Sequence, residues 1–245
     1  DAGWSPTEVV RLGQLVSFLT FQIRTAHGLG VLATKFVPQG DVRRPGKHAG
    51  ARQADAPQRP VHADAAPGAG VNAGFDVITY PDLVRPRGFV SHSLGWVPWV
   101  PPVEESDLTE RQKVALVDPL RAKSEYFRLL ARDPEALEAR TLTDKDIFYN
   151  VTDGAGRAER ELSAAVTSRF NGCVYCASVH TGRAIAESAD DEDAAAKADA
   201  IQRLCDEGVA ADLGSDLWNA IRDASVALAT VPVRFGAPHV TALRD

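Results

Sequence analysis

Between residues 109 and 230 the apolar side chains return at spacings of three and four, and no convincing alternation of the kind a half-buried strand needs appears there. The period places helices at about 109–131, 133–140, 157–170, 173–188, 190–207 and 212–230. Two short β-friendly runs, FDVITY at 75–80 and PVRF at 232–235, lie outside that range and are isolated from each other. An all-α fold is therefore expected, because a helix with one apolar stripe buries it most readily against other helices.

The first third of the chain is organised differently. SPTE at 5–8 is a helix start, with Ser5 as cap, Pro6 at the first helical position and Glu8 placed for a capping box. Behind it Val9, Leu12, Leu15, Val16, Leu19 and Ile23 form one stripe, predicting an amphipathic helix over 5–29 whose stripe is buried. Residues 38–95 then lose any sustained period and become rich in Pro, Gly and Ala. So long a structureless stretch is expected to join two units or to lie across a partner subunit. Three regions follow: an N-terminal helix at 1–37, a linker arm at 38–95, and a helical domain at 96–245. Asp107 or Thr109 can cap the first helix of that domain, and Trp96 and Trp99 just before it are expected to pack.

A chain of 245 residues with 44% apolar side chains can bury one large core. Its formal charge of −6 and pI near 5.5 leave no basic excess for nucleic acid or an anionic membrane, so partners are expected to be small molecules or proteins. No apolar run approaches the roughly 20 residues of a bilayer crossing, and the first residues lack the layout of a secretory signal. A soluble, cytoplasmic protein is the expectation. The chain begins at Asp1 and holds no methionine, which points to a processed or partial chain.

The chemistry is concentrated in NGCVYCASVH at 171–180. Three cysteines are too few for a disulfide scaffold, and a close pair in a reducing compartment is more often catalytic or metal-binding. With Asn171 as cap, Cys173 falls in a first helical turn, and positions 173, 176 and 180 share one helix face. A thiol is reactive as the thiolate, and two influences can favour that form: the helix dipole, acting mainly on Cys173, and His180, acting mainly on Cys176. Glu161 lies twelve residues before Cys173 on the preceding helix. If the two helices pack antiparallel, its carboxylate reaches the level of His180 and can orient it directly or through a water.

Glu161, eleven intervening residues, then Cys173-x-x-Cys176-x-x-x-His180 resembles the pattern of the alkylhydroperoxidase D-like proteins of the carboxymuconolactone decarboxylase superfamily. The resemblance runs over about 105–245. It implies an all-α alkylhydroperoxidase D-like domain and a dithiol peroxidase. Cys176 would attack the hydroperoxide and become a sulfenic acid, Cys173 would close a disulfide with it, and His180 and Glu161 would relay protons. The helix dipole alone nominates Cys173 as nucleophile; proximity to His180 and the family pattern favour Cys176. Where well-known peroxidases of the family carry a second histidine between the cysteines, this chain has Tyr175, which shortens the relay. The resemblance also implies a hydroperoxide substrate, a dithiol reductant such as a lipoyl- or thioredoxin-like protein, a homo-oligomer and no organic cofactor. GAPHVTALRD at 236–245 looks like the lead-in to the family's final amphipathic helix, and residues 1–30 read as such a helix, so the N-terminal helix is expected to complete an alkylhydroperoxidase D-like core in its own subunit or a neighbour's.

Other readings keep parts of this. Zinc would find three ligands in Cys173, Cys176 and His180, but three ligands on one straight helix face are nearly collinear and poorly suited to a tetrahedron. The same dithiol could serve a redox-sensing or scaffolding oligomer without turnover, whereas lactone decarboxylation, the superfamily's other chemistry, calls for no dithiol. Cys205 lacks a histidine neighbour and is expected to be a buried, idle thiol. His27, His48, His62, His92 and His239 have no mutually supportive spacing, and the acidic run at 187–199 reads as a solvated helix start.

Overall fold

A computed structural model describes residues 4–36, 84–150, 152 and 154–244. Among them are nine α-helices and no strand: α1 (Pro6–Phe36), α2 (Glu110–Ala115), α3 (Glu125–Leu130), α4 (Pro134–Tyr149), α5 (Arg157–Phe170), α6 (Val174–Glu187), α7 (Ala194–Glu207), α8 (Asp216–Ala229) and α9 (Ala237–Ala242). FDVITY, His48 and His62 lie outside the described residues.

The helices begin where side chains can satisfy their free N–H groups. Ser5 and Glu8 close the box at the start of α1, with Glu8 N donating to Ser5 Oγ at 3.3 Å and Ser5 N donating to Glu8 Oε2 at 2.7 Å. Thr109 and Gln112 do the same for α2, and Asp133 and Ser215 cap α4 and α8. The expected helix over 109–131 is broken into three pieces. Val117 takes a φ of 64°, Pro119 brings no N–H, and a 3₁₀ turn at Pro119–Lys123 fills the gap between α2 and α3. In the other direction α4 runs nine residues past the expected 140, since Leu137, Thr141, Asp144 and Phe148 hold one face although two of the four are polar.

The main core lies between α5, α6, α7 and α8, where Leu162, Val166, Ala184, Ile201, Leu204, Trp218 and Ile221 are buried together. A second cluster under α2 to α4 is built on Leu116 and Leu137. A third, Ala224 and Ala227 on α8, Phe235 on the loop after it and Val240 on α9, receives Val31 and Leu32 of α1. Arg24 donates to Ala229 O at 3.0 Å and His27 Nε2 to Phe235 O at 2.8 Å, so α1 docks through residues 24–32. Among the described residues of this one chain nothing covers the expected stripe: Leu12, Leu15, Val16, Leu19 and Ile23 stand exposed, Ile23 at 66%. A helix of 31 residues is about 46 Å long and extends past the small surface that α8 and α9 offer.

The described end of the expected arm, residues 84–95, lies along this chain's own α6. Leu94 N donates to Ser178 Oγ at 3.1 Å and Thr181 Oγ1 to Val90 O at 3.0 Å. Gly182 makes the approach possible, because a Cβ there would sit 3.0 Å from Ser93 N. Beyond it Trp96 packs edge-on against Tyr126 at 5.7 Å, but Trp99 is exposed among the described residues with the Arg85 guanidinium over its ring, contrary to the packing expected of it.

Leu162 is fully buried at the centre of the main core. Leu162→Ala is expected to lower the unfolding free energy by about 3 kcal/mol, read from urea denaturation with an unchanged m-value.

Candidate functional site

The turn from α5 to α6 fixes where the cysteines stand. Gly172 takes a φ of 78°, its N donates to Arg169 O at 3.3 Å, and Cys173 N donates to Ser168 O at 3.0 Å. These two bonds are a Schellman motif closing α5. Asn171, expected to cap α6, instead ends α5, and Cys173 is the N-cap of α6. Its Sγ accepts from Cys176 N at 3.3 Å, as an oxygen does in an ordinary cap. Cys173 is thus just outside the helix rather than within its first turn. Both sulfurs still lie at the positive end of α6, where a thiolate is favoured. The two cysteines form a disulfide, with Cα atoms 5.4 Å apart.

Because α5 and α6 run antiparallel from that turn, Glu161 comes level with His180. The imidazole Nδ1 lies 2.7 Å from Glu161 Oε2, so the contact is direct. An ionised carboxylate only accepts, so Nδ1 carries the proton and Nε2 is the ring nitrogen left free. His180 stands four residues after Cys176, one turn along the same face.

Glu161 is 3% exposed. Burial alone would raise its carboxyl, but hydrogen bonds from His180 and Arg157 outweigh that and hold it below the ordinary value of 4.5. Arg157 was not legible as a site residue. Its Nε lies 2.9 Å and its Nη2 2.5 Å from Glu161 Oε1, and its Nη1 donates to Phe148 O at 2.7 Å. The one available signal was its position four residues before Glu161 on a helix. Phe148, which stacks on the imidazole at 5.6 Å, comes from α4 and had no local signal at all.

Tyr175 lies between the cysteines in sequence and beside Tyr126 in space, with ring centroids 5.9 Å apart. Burial and the neighbouring phenol push its hydroxyl up, so it stays protonated at neutral pH and can only donate or accept a hydrogen bond there. Asp144, also on α4, is raised by burial against the pull of Arg140, whose Nη2 is 3.0 Å away. The trio of Trp96, Tyr126 and Tyr175 forms an aromatic wall beside the first turn of α6.

Cys205 is buried on α7, its thiol pushed up to about 11 by burial and by Asp206, and it stands apart from this chemistry. Among the described residues no group of three or more His, Cys, Asp and Glu side chains is arranged to hold a metal ion, and no helix is long and apolar enough to cross a membrane. In chemical terms the site offers a disulfide-linked pair of sulfurs on the same helix as an imidazole held by a buried carboxylate.

Glu161 binds less proton in the folded chain than in the unfolded one, so its pairing stabilises the fold fully above pH 4.5 and is lost as pH falls through its depressed value. Acid unfolding of wild type below pH 4.5 should therefore be steeper than that of Glu161→Gln, which has no carboxyl to protonate; parallel curves would contradict the pairing.

The model of the carboxymuconolactone decarboxylase family matches residues 134–208, from the start of α4 to the end of α7. No curated protein and no solved structure matches the chain.

Proposed function

From residues 134–208, a carboxymuconolactone decarboxylase family domain of the alkylhydroperoxidase D-like superfamily, we propose that the protein is a dithiol peroxidase acting on organic hydroperoxides or hydrogen peroxide. The observation that carries this reading is the Cys173–Cys176 pair, within bonding distance at the N-terminus of α6, on the helix whose His180 is held by Glu161 at 2.7 Å.

The reaction begins from the reduced pair. Cys176 as thiolate attacks one peroxide oxygen; the O–O bond breaks, the sulfur becomes a sulfenic acid, and the leaving alkoxide takes a proton to become an alcohol. His180, oriented by Glu161, receives the proton of the Cys176 thiol and returns one to the leaving oxygen. Cys173 then attacks the sulfenic sulfur, forming the disulfide and releasing water. Two electrons have passed from the dithiol to the peroxide. An external dithiol, of the lipoyl or thioredoxin-like kind, returns them by thiol–disulfide exchange. Tyr175, which stands between the two cysteines in sequence where related peroxidases carry a histidine, is the neutral hydroxyl that would donate a hydrogen bond during this cycle.

Stopped-flow peroxide consumption in the presence of a small dithiol tests the assignment. Wild type is expected to turn over repeatedly, Cys176→Ser to lose at least about 100-fold in rate, and pre-reduced Cys173→Ser, freed of the dithiol, to consume one equivalent and stop at a sulfenic acid. A Cys176→Ser variant as fast as wild type would remove Cys176 from the role of nucleophile. One oxidation without turnover in wild type would make the site a redox switch.

A further inference from the structure

We infer that Arg157 is a positioning residue for the Glu161–His180 pair, holding it from two sides. The inference rests on reading that pair as the proton relay of the dithiol.

Glu161 has two carboxylate oxygens and they are divided between two partners. Oε1 receives Nε and Nη2 of Arg157 at 2.9 and 2.5 Å, and Oε2 receives Nδ1 of His180 at 2.7 Å. With Oε1 occupied by a fork of two N–H groups, the carboxyl plane is fixed and only Oε2 is left for the imidazole. The charge is also balanced without the histidine: Arg157 and Glu161 are both largely buried, with side-chain exposures of 14% and 4%, and their formal charges cancel. A neutral imidazole can therefore sit beside the carboxylate without leaving a buried negative charge unmatched.

The second hold is through α4. Arg157 Nη1 donates to Phe148 O at 2.7 Å, one of the last carbonyls of that helix, which lack partners within it. The same guanidinium lies 4.1 Å from the centroid of the Tyr149 ring and 5.3 Å from that of Phe148. Phe148 stacks on His180 with ring planes 22° apart. One guanidinium thus fixes both the carboxylate that orients the imidazole and the ring that covers it. The other charged or titratable groups that bear on the pair come from α4 and the 3₁₀ turn between α2 and α3: Asp144 with Arg140 and Arg121, and Tyr149. None of them supplies a second fork to Oε1.

The test compares reduced full-length wild type with Arg157→Gln, Arg157→Lys and Glu161→Gln. For each, the rate of iodoacetamide alkylation at Cys173 and Cys176 is followed against pH by peptide mass mapping, and peroxide turnover is followed alongside. In Arg157→Gln the carboxylate loses one of its two partners, so the acid limb of the alkylation profile is expected to move up by about one pH unit, with a roughly tenfold lower rate at neutral pH. Arg157→Lys keeps the charge but cannot serve Oε1 and Phe148 O together. Its limb should stay near that of wild type while its plateau falls several-fold.

A wild-type profile in Arg157→Gln, or in Glu161→Gln, overturns the inference. If Arg157→Gln does not fold, a wild-type limb and plateau in Arg157→Lys overturn it equally. Alkylation needs no peroxide, which separates the two claims. Shifted alkylation profiles without peroxide turnover in wild type would uphold the positioning role and sink the peroxidase. Turnover with unshifted profiles would do the reverse.

Discussion

Two hydrogen bonds at the α5–α6 reversal, Gly172 N to Arg169 O and Cys173 N to Ser168 O, set the positions on which the chemistry depends. They need a residue that accepts a φ of 78°, and Gly172 does so without a Cβ penalty. The same turn ends one helix and hands Cys173 to the next as its cap. From there the antiparallel course of α5 and α6 decides which residues meet, and Glu161 reaches His180 as a consequence. Replacing the turn by a longer loop would keep both helices and their apolar stripes while losing the register between carboxylate and imidazole.

Burying Glu161 costs solvation free energy, and the hydrogen bonds from Arg157 and His180 offset it. The result is a carboxylate kept ionised into acid, an imidazole with its tautomer assigned, and a dithiol at a helix N-terminus. Cys205 supplies the contrast within the same molecule. It is buried late in α7, away from that helix's N-terminus, and burial and Asp206 outweigh the pull of the Arg169 cation, so its thiol is pushed up to about 11, outside the range of neutral-pH reactivity. Environment, not residue type, separates the disulfide pair at the start of α6 from the buried thiol on α7.

The sequence reading and the structure agree best where a helix carries a strong apolar stripe on a polar background. The range 157–170 coincides with α5, and 173–188 and 212–230 lie close to α6 and α8. The meeting of Glu161 and His180 was also legible, because it follows from helix rise and antiparallel packing. Arg157 and Phe148 were not, since their roles depend on α4 folding back onto α5, a contact between segments that no local period encodes. The break at Val117–Pro119 was hidden by apolar spacing that continues across it. On α1 the stripe was real, but a stripe tells that a helix has an apolar face and not what covers it: Val31 and Leu32 found α8 and α9, while Leu12 to Ile23 did not.

On the proposed function Cys173 and Cys176 are a redox couple set apart from the third cysteine by their surroundings. Thiol mapping after the fully reduced protein receives one equivalent of a hydroperoxide tests it most directly. One peroxide is expected to be consumed per protein, the peptides bearing Cys173 and Cys176 to become linked to each other, and Cys205 to remain a free thiol. Linkage involving Cys205, or peroxide left unconsumed with all three thiols intact, would contradict it.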